Sequence, residues 1–188
     1  MQITGFSLMM QKLIQLDVNL SNRLRMEVDE SFRWKLVAFL AHSGDSWFWL
    51  FGLGIVWLLS NAWRGFSAFL IVDILLLAAL VMSIKFLVRR SRPPGEWGSI
   101  YRNTDPHSFP SGHAARAVMI ATVVAANAPL WVAVCVMIWA ILVSLSRIFT
   151  GMHYVSDVVA GMALGLLSAG VFLAARDWMQ ALLPFLFG

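Results

Sequence analysis

Four stretches of this chain are too apolar and too long for an ordinary soluble interior. They are residues 66–87, 114–130, 131–149 and 155–175, each carrying no more than two Asp, Glu, Lys or Arg. A membrane-crossing helix needs roughly 17–25 predominantly apolar residues, and these stretches meet or approach that length. A fifth, residues 47–63, is shorter but rich in Trp, Leu and Phe, with Trp47 and Trp63 at its ends, where interfacial belts place this residue. The whole chain of 188 residues is 60% hydrophobic and 13% charged, with a mean hydropathy of +0.75. Such a composition makes the bilayer the expected solvent. Because backbone polar groups in lipid must be satisfied within the segment, the expected fold is all-α. It is a polytopic transmembrane helix bundle of about five spans in one domain.

The ends of the chain read differently. In residues 1–45, Leu13, Ile14, Leu16, Leu20 and Leu24 share helical spacing with Lys12, Asp17, Arg23 and Arg25. That mixture predicts an amphipathic helix lying on the membrane surface. A shorter stretch, 32–42, is too brief to span and is expected to dock against the bundle. Residues 46–176 would form the transmembrane bundle, with 177–188 as an interfacial tail. Cys135 lies in an apolar run and is expected to be a small buried hydrophobe, and one Cys makes no disulfide framework. No cleavable signal peptide is expected, because the first 30 residues lack a continuous apolar core. The net charge of +4 is scattered among apolar segments, which favours lipid headgroups or phosphate as partners over nucleic acid.

Three polar signatures interrupt the oily sequence. The first runs from Lys85 to Arg92-Pro93. The second is Pro110-Ser111-Gly112-His113, and the third is Ser146-Arg147 followed by His153 and Asp157. If the spans run up and down with short connections, all three fall on one membrane face. Lys85, Arg92 and Arg147 can neutralise phosphate oxygens, and Arg offers a planar fork for two at once. Ser111 and Gly112 open a helix whose unpaired N–H groups suit an anion; Ser111 also suits an N-cap, and the two roles are compatible. His153 and Asp157 stand four residues apart, the spacing of one helix face, where a carboxylate can fix the imidazole tautomer. Arg89 and Arg90 read as an ordinary positive flank of the helix end.

In order and spacing, these residues resemble the type 2 phosphatidic acid phosphatase superfamily of membrane lipid phosphate phosphatases. The likeness rests on Lys85-x6-Arg92-Pro93, Pro110-Ser111-Gly112-His113 and Ser146-Arg147-x5-His153-x3-Asp157. The resemblance implies that His153 is the nucleophile, forming a phosphohistidine that water then hydrolyses. It implies that Asp157 orients His153 and that His113 protonates the leaving oxygen. Lys85, Arg92, Arg147, Ser111 and Gly112 would hold the phosphate. It implies no metal and no cofactor. Within the superfamily, Arg89-Arg90-Ser91-Arg92-Pro93 and residues 108–116 look similar to polyisoprenoid-diphosphate phosphatases, while phosphatidylglycerophosphate and phosphatidic acid stay open as substrates. An anion-binding transporter is the competing class. A vanadate-dependent haloperoxidase would share the cradle, but those enzymes are soluble.

Arg116, one turn beyond His113, and His107 are further candidates for headgroup contacts. Asp73 lies within a span but about 18 Å along the helix from Lys85, too far for the reacting centre; it is expected to be a buried hydrogen-bonding group. His42 and Asp45 are candidates for the rim. Outside the phosphate ligands, Lys12, Arg23, Arg25, Arg33, Lys35, Arg89, Arg90, Arg102 and Arg116 fall on the signature face or N-terminal segment, against Arg64 and Arg176 opposite. The positive-inside rule then turns the active face to the cytoplasm, in the cell membrane. The sequence sets no oligomeric state.

Overall fold

The computed structural model describes residues 5–95 and 105–187. Helices α1 (Gly5–Leu24) and α2 (Phe32–Ser43) precede five apolar helices: α3 (Ser46–Leu59), α4 (Arg64–Val88), α5 (Gly112–Ala125), α6 (Leu130–Phe149) and α7 (Val155–Ala174). Two short helices, α8 (Arg176–Leu182) and α9 (Pro184–Phe187), follow. The helices α4, α6 and α7 are long and apolar enough to cross a membrane, and α3 and α5 are apolar helices of 14 residues each. The five expected spans thus all appear as helices in a polytopic membrane bundle, three of full length and two short. Leu76, Leu80, Ile141, Leu142, Leu166 and Leu167 turn outward from the bundle, as lipid-facing side chains do.

Helix α5 is the axis of the bundle. Its residues from Ala114 to Ile120 are buried without a break, because α4, α6 and α7 pack around it. Small side chains make that close approach possible. On α7, Gly165 lies against α5 so tightly that an added Cβ would stand 2.9 Å from the Ala115 carbonyl carbon. One turn earlier, Gly161 lies against the Ser111 carbonyl. Small residues at a four-residue interval let membrane helices approach backbone to backbone. Here they bring the start of α5, with His113, beside the start of α7.

The opposite end of the bundle is closed by polar clasps. Arg176 Nη1 donates to Asn127 Oδ1 at 2.9 Å and its guanidinium stacks on Phe69. Trp57 Nε1 donates to the Leu186 carbonyl at 2.7 Å. The tail therefore folds back onto the bundle.

Helix α2 docks on α6, where Trp139 Nε1 donates to Ser43 Oγ at 3.0 Å, as expected for a stretch too short to span. Ser31 caps it, accepting from Trp34 N at 3.2 Å. Two expectations are corrected. Cys135 is exposed, because it lies on the outward side of α6. Asp73 is fully buried in α4, yet neither carboxylate oxygen has a hydrogen bond among the described residues.

Candidate active site

The three signatures converge at one end of α4, α5, α6 and α7. Each is delivered by a helix terminus. Lys85 lies in the last turn of α4, which stops at Arg89 in the left-handed region, φ 53°. Ser111 caps α5, its Oγ accepting from Ala114 N at 3.4 Å, so His113 sits in the first turn. Arg147 lies in the last turn of α6. Beyond it, Gly151 takes φ 65°, a conformation glycine adopts without steric cost. That bend folds the chain back, and Met152 N and His153 N both donate to the Arg147 carbonyl at 3.2 Å.

The nucleophile candidate is thus held in a tight turn. The sequence spacing put His153 and Asp157 on one helix face; in the structure His153 precedes α7, which begins at Val155. Asp157 sits in the first turn of that helix, its Oδ2 reaching back to accept from the N of Tyr154, the N-cap residue, at 2.9 Å. The pair is still together, with His153 Nδ1 3.7 Å from Asp157 Oδ2.

These groups line a cleft of about 380 Å³. Its polar end holds Lys85, Arg92, Arg147, His113, His153 and Arg116. The other end is apolar, formed by Trp47 of α3 and by Ile74, Leu77, Ala78, Val81 and Met82 of α4. Those α4 positions recur at intervals of three and four residues, one helical stripe that ends at Lys85. The stripe from residue 74 to 85 is about 16 Å long.

Arg92 organises the polar end. Its Nη1 donates to the Met152 carbonyl at 3.0 Å and to His153 Nε2 at 3.1 Å. Its Nε and Nη2 donate to Asp105, at 2.8 Å to the carbonyl and 2.9 Å to the carboxylate. The same carboxylate oxygen, Asp105 Oδ2, accepts from Lys85 Nζ, which also donates to the His107 carbonyl at 3.0 Å. Burial, reinforced by the charges of Arg92, Arg147 and Lys85, pushes the His153 imidazole down from 6.5 to about 3, against the opposing pull of the nearby Asp157 carboxylate. It is neutral at physiological pH, as a nucleophile must be.

Across the cleft, His113 faces a second carboxylate. Its Nε2 lies 2.6 Å from Asp45 Oδ1, and His42 Nδ1 lies 3.2 Å from Asp45 Oδ2. Asp45 starts α3 and is buried. Arg116 secures that turn by donating through Nε to the Gly44 carbonyl at 2.9 Å. Arg116 therefore lines the cleft as a buried side chain and does not snorkel outward.

Of the sequence-expected residues, Lys85, Arg92, Gly112, His113, Arg116, Arg147 and His153 line the cleft, with Ser111 and Asp157 buried directly behind. His107 contributes its carbonyl, while its ring packs edge-on against Phe86. Arg102 lies outside the described residues. Three charged residues escaped the sequence reading. Asp45 reads only as a rim residue, Asp105 belongs to none of the three signatures, and Arg90 reads as a helix flank. In fact Arg90 Nη1 donates to Asp157 Oδ1 at 2.7 Å. No spacing rule marks these residues, because their partners are distant in sequence.

Known proteins resemble this chain in sequence and in fold. Over 134 residues, 69% of the chain, it is 29% identical to an undecaprenyl-diphosphatase of Sulfolobus acidocaldarius and spans 64% of that protein's length. The fold superposes on the crystal structure of Aquifex aeolicus LpxE with a TM-score of 0.68, at 24% identity, over 85% of this chain and 95% of that one. It superposes on a transmembrane PAP2-type phosphatidylglycerolphosphate phosphatase from Bacillus subtilis with a TM-score of 0.72, at 23% identity, over 88% and 87% of the two chains. The PAP2 superfamily profile matches residues 66–180, a stretch that contains all three signatures, and the chain belongs to the PAP2 superfamily.

Proposed function

We propose that this protein hydrolyses the phosphate or diphosphate of a membrane lipid through a covalent phosphohistidine at His153, without a metal. The observation that carries the reading is the two-ended cleft. Four cations and two histidines meet at one end, and an apolar stripe of α4 leads into it. A headgroup can meet the cations while its chain lies along the stripe.

In the first step His153 Nε2 attacks phosphorus, forming a P–N bond as the bond to the leaving oxygen breaks. Lys85, Arg92 and Arg147 stabilise the charge on the non-bridging oxygens, with help from Ser111 and the Gly112 backbone. Arg92 trades its contact with His153 Nε2 for a phosphate oxygen. His113, giving up its bond to Asp45, protonates the leaving oxygen. In the second step His113 takes a proton from water, whose oxygen attacks phosphorus and breaks the P–N bond. Inorganic phosphate leaves and His153 is neutral again. Asp157 orients the imidazole throughout.

The substrate we favour is a polyisoprenoid diphosphate, supported by the similarity to an undecaprenyl-diphosphatase. Phosphatidylglycerophosphate and phosphatidic acid are the alternatives. We place α1 on the membrane surface, its apolar side chains Leu13, Ile14, Leu16 and Leu20 exposed, and the active face in the cytoplasm of the cell membrane.

The test is phosphate release in EDTA from farnesyl diphosphate, undecaprenyl diphosphate, phosphatidylglycerophosphate and phosphatidic acid, for wild type and His153→Ala. Release with the diphosphates foremost, lost in the variant, is expected. A folded protein that releases phosphate from none of them favours an anion-binding transporter.

A further inference from the structure

Asp157 is 0% exposed. A buried carboxylate requires a cation or several donors, and a neutral His153 supplies no charge. The charge comes from Arg90, 2.7 Å away at Asp157 Oδ1. Arg90 is itself tightly held. Its Nη1 also donates to Ser156 Oγ at 2.6 Å, its Nη2 donates to Asp17 Oδ2 at 2.7 Å, and its guanidinium stacks 4.1 Å from the Tyr154 ring centroid.

Asp17 belongs to α1, far away in sequence. Its two oxygens accept from Ser156 N at 3.0 Å and Ser156 Oγ at 2.5 Å. One turn on, Ser21 Oγ accepts from Val155 N at 3.0 Å. The first N–H groups of a helix have no intrahelical partner. At α7, Tyr154 N is capped by Asp157, and the next two are capped by α1. The helix α1 is therefore fastened to the end of α7 that carries Asp157. The chain of contacts runs from Asp17 to Arg90, to Asp157, to His153.

We infer that Asp17 and Arg90 are positioning residues for the reaction, holding Asp157 so that it aligns His153, so that α1 supports the site through Asp17 as well as lying on the membrane surface. The inference rests on His153 as the nucleophile. Neither residue lines the cleft, so the effect falls on chemistry and leaves substrate capture alone.

The experiment compares full-length wild type, Asp17→Asn, Arg90→Gln, Arg90→Lys, Ser21→Ala and His153→Ala in detergent, on farnesyl diphosphate. It reads kcat, KM and competitive inhibition by inorganic phosphate, with thermal melting as the folding check. Asp17→Asn and Arg90→Gln should lose about tenfold or more in kcat through misalignment, with KM and phosphate inhibition changed less than about twofold. Arg90→Lys, which keeps the charge without the fork, should fall between wild type and Arg90→Gln. Ser21→Ala loosens the seat of α1 without touching the ion chain and should keep kcat within about twofold. Equal losses in Ser21→Ala and Asp17→Asn, or parallel losses of kcat and phosphate inhibition, would reduce Asp17 and Arg90 to a structural tether and overturn the inference. So would wild-type kcat in both Asp17→Asn and Arg90→Gln. An active His153→Ala would instead overturn the nucleophile assignment.

Discussion

Arg92 Nη1 lies 3.1 Å from His153 Nε2, and that contact fixes the imidazole tautomer. A guanidinium has only donors, so Nε2 must accept, and the ring proton resides on Nδ1, facing Asp157. The lone pair that would attack phosphorus therefore already points at the cation that would hold phosphorus's oxygens. Replacing Arg92 by Lys keeps a charge but loses the fork that reaches His153, Met152 and Asp105 together.

The pH dependence follows from the buried site of His153. Attack needs the neutral ring, so on the acid side His153 limits activity as pH falls through the depressed value of about 3. After correction for substrate ionisation, the acid limb of kcat/KM should lie well below 6.5, and Arg92→Gln should raise it by removing a neighbouring cation. The same shift acts on stability. Between 6.5 and about 3 the unfolded chain binds a proton that the folded chain refuses, so this group makes stability fall as pH falls through that window. An acid limb at 6.5 would count against a buried, neutral nucleophile.

Asp105 places a carboxylate against both Lys85 and Arg92. An entering phosphate competes with it for the same two cations. With 27% of its side chain exposed, the carboxylate's net hold is about 1 kcal/mol, or roughly fivefold. Asp105→Asn should therefore strengthen competitive inhibition by inorganic phosphate about fivefold. Weakened inhibition would assign Asp105 to positioning the cations.

The α4 stripe predicts a chain-length effect. Ala78 lies mid-stripe in the apolar half of the cleft, and Ala78→Trp fills the space beside it. The variant should lose about tenfold in kcat/KM on long-chain substrates, through the loss of one chain's apolar contacts. A short-chain phosphate should be hydrolysed at nearly the wild-type rate. Equal losses on both would place the chain elsewhere.

What the sequence disclosed, and what it hid, divides along a physical line. Apolar periodicity and length located α3 to α7, since a lipid-facing helix must carry its own hydrophobicity. The convergence of Lys85, Ser111 and Arg147 followed from up-and-down connectivity alone. The pairing of Asp45 with His113 and of Asp17 with Arg90 was hidden, because each joins residues about 70 positions apart through tertiary contact. Arg90 read as a flanking charge because a positive flank and a buried ion-pair partner look alike until the fold supplies the carboxylates. The tight turn at Gly151, which moves His153 off the helix, left no periodic signal either.

If phosphorus passes through His153 on its way to water, it can be caught there. Wild-type protein would be mixed with farnesyl diphosphate in EDTA, quenched in alkali within milliseconds and digested for mass spectrometry. That route puts a phosphoryl group on His153, lost in His153→Ala and never found on His113. Steady turnover with no phosphorylated histidine at any quench time, or a phosphoryl group carried by His113, would contradict it.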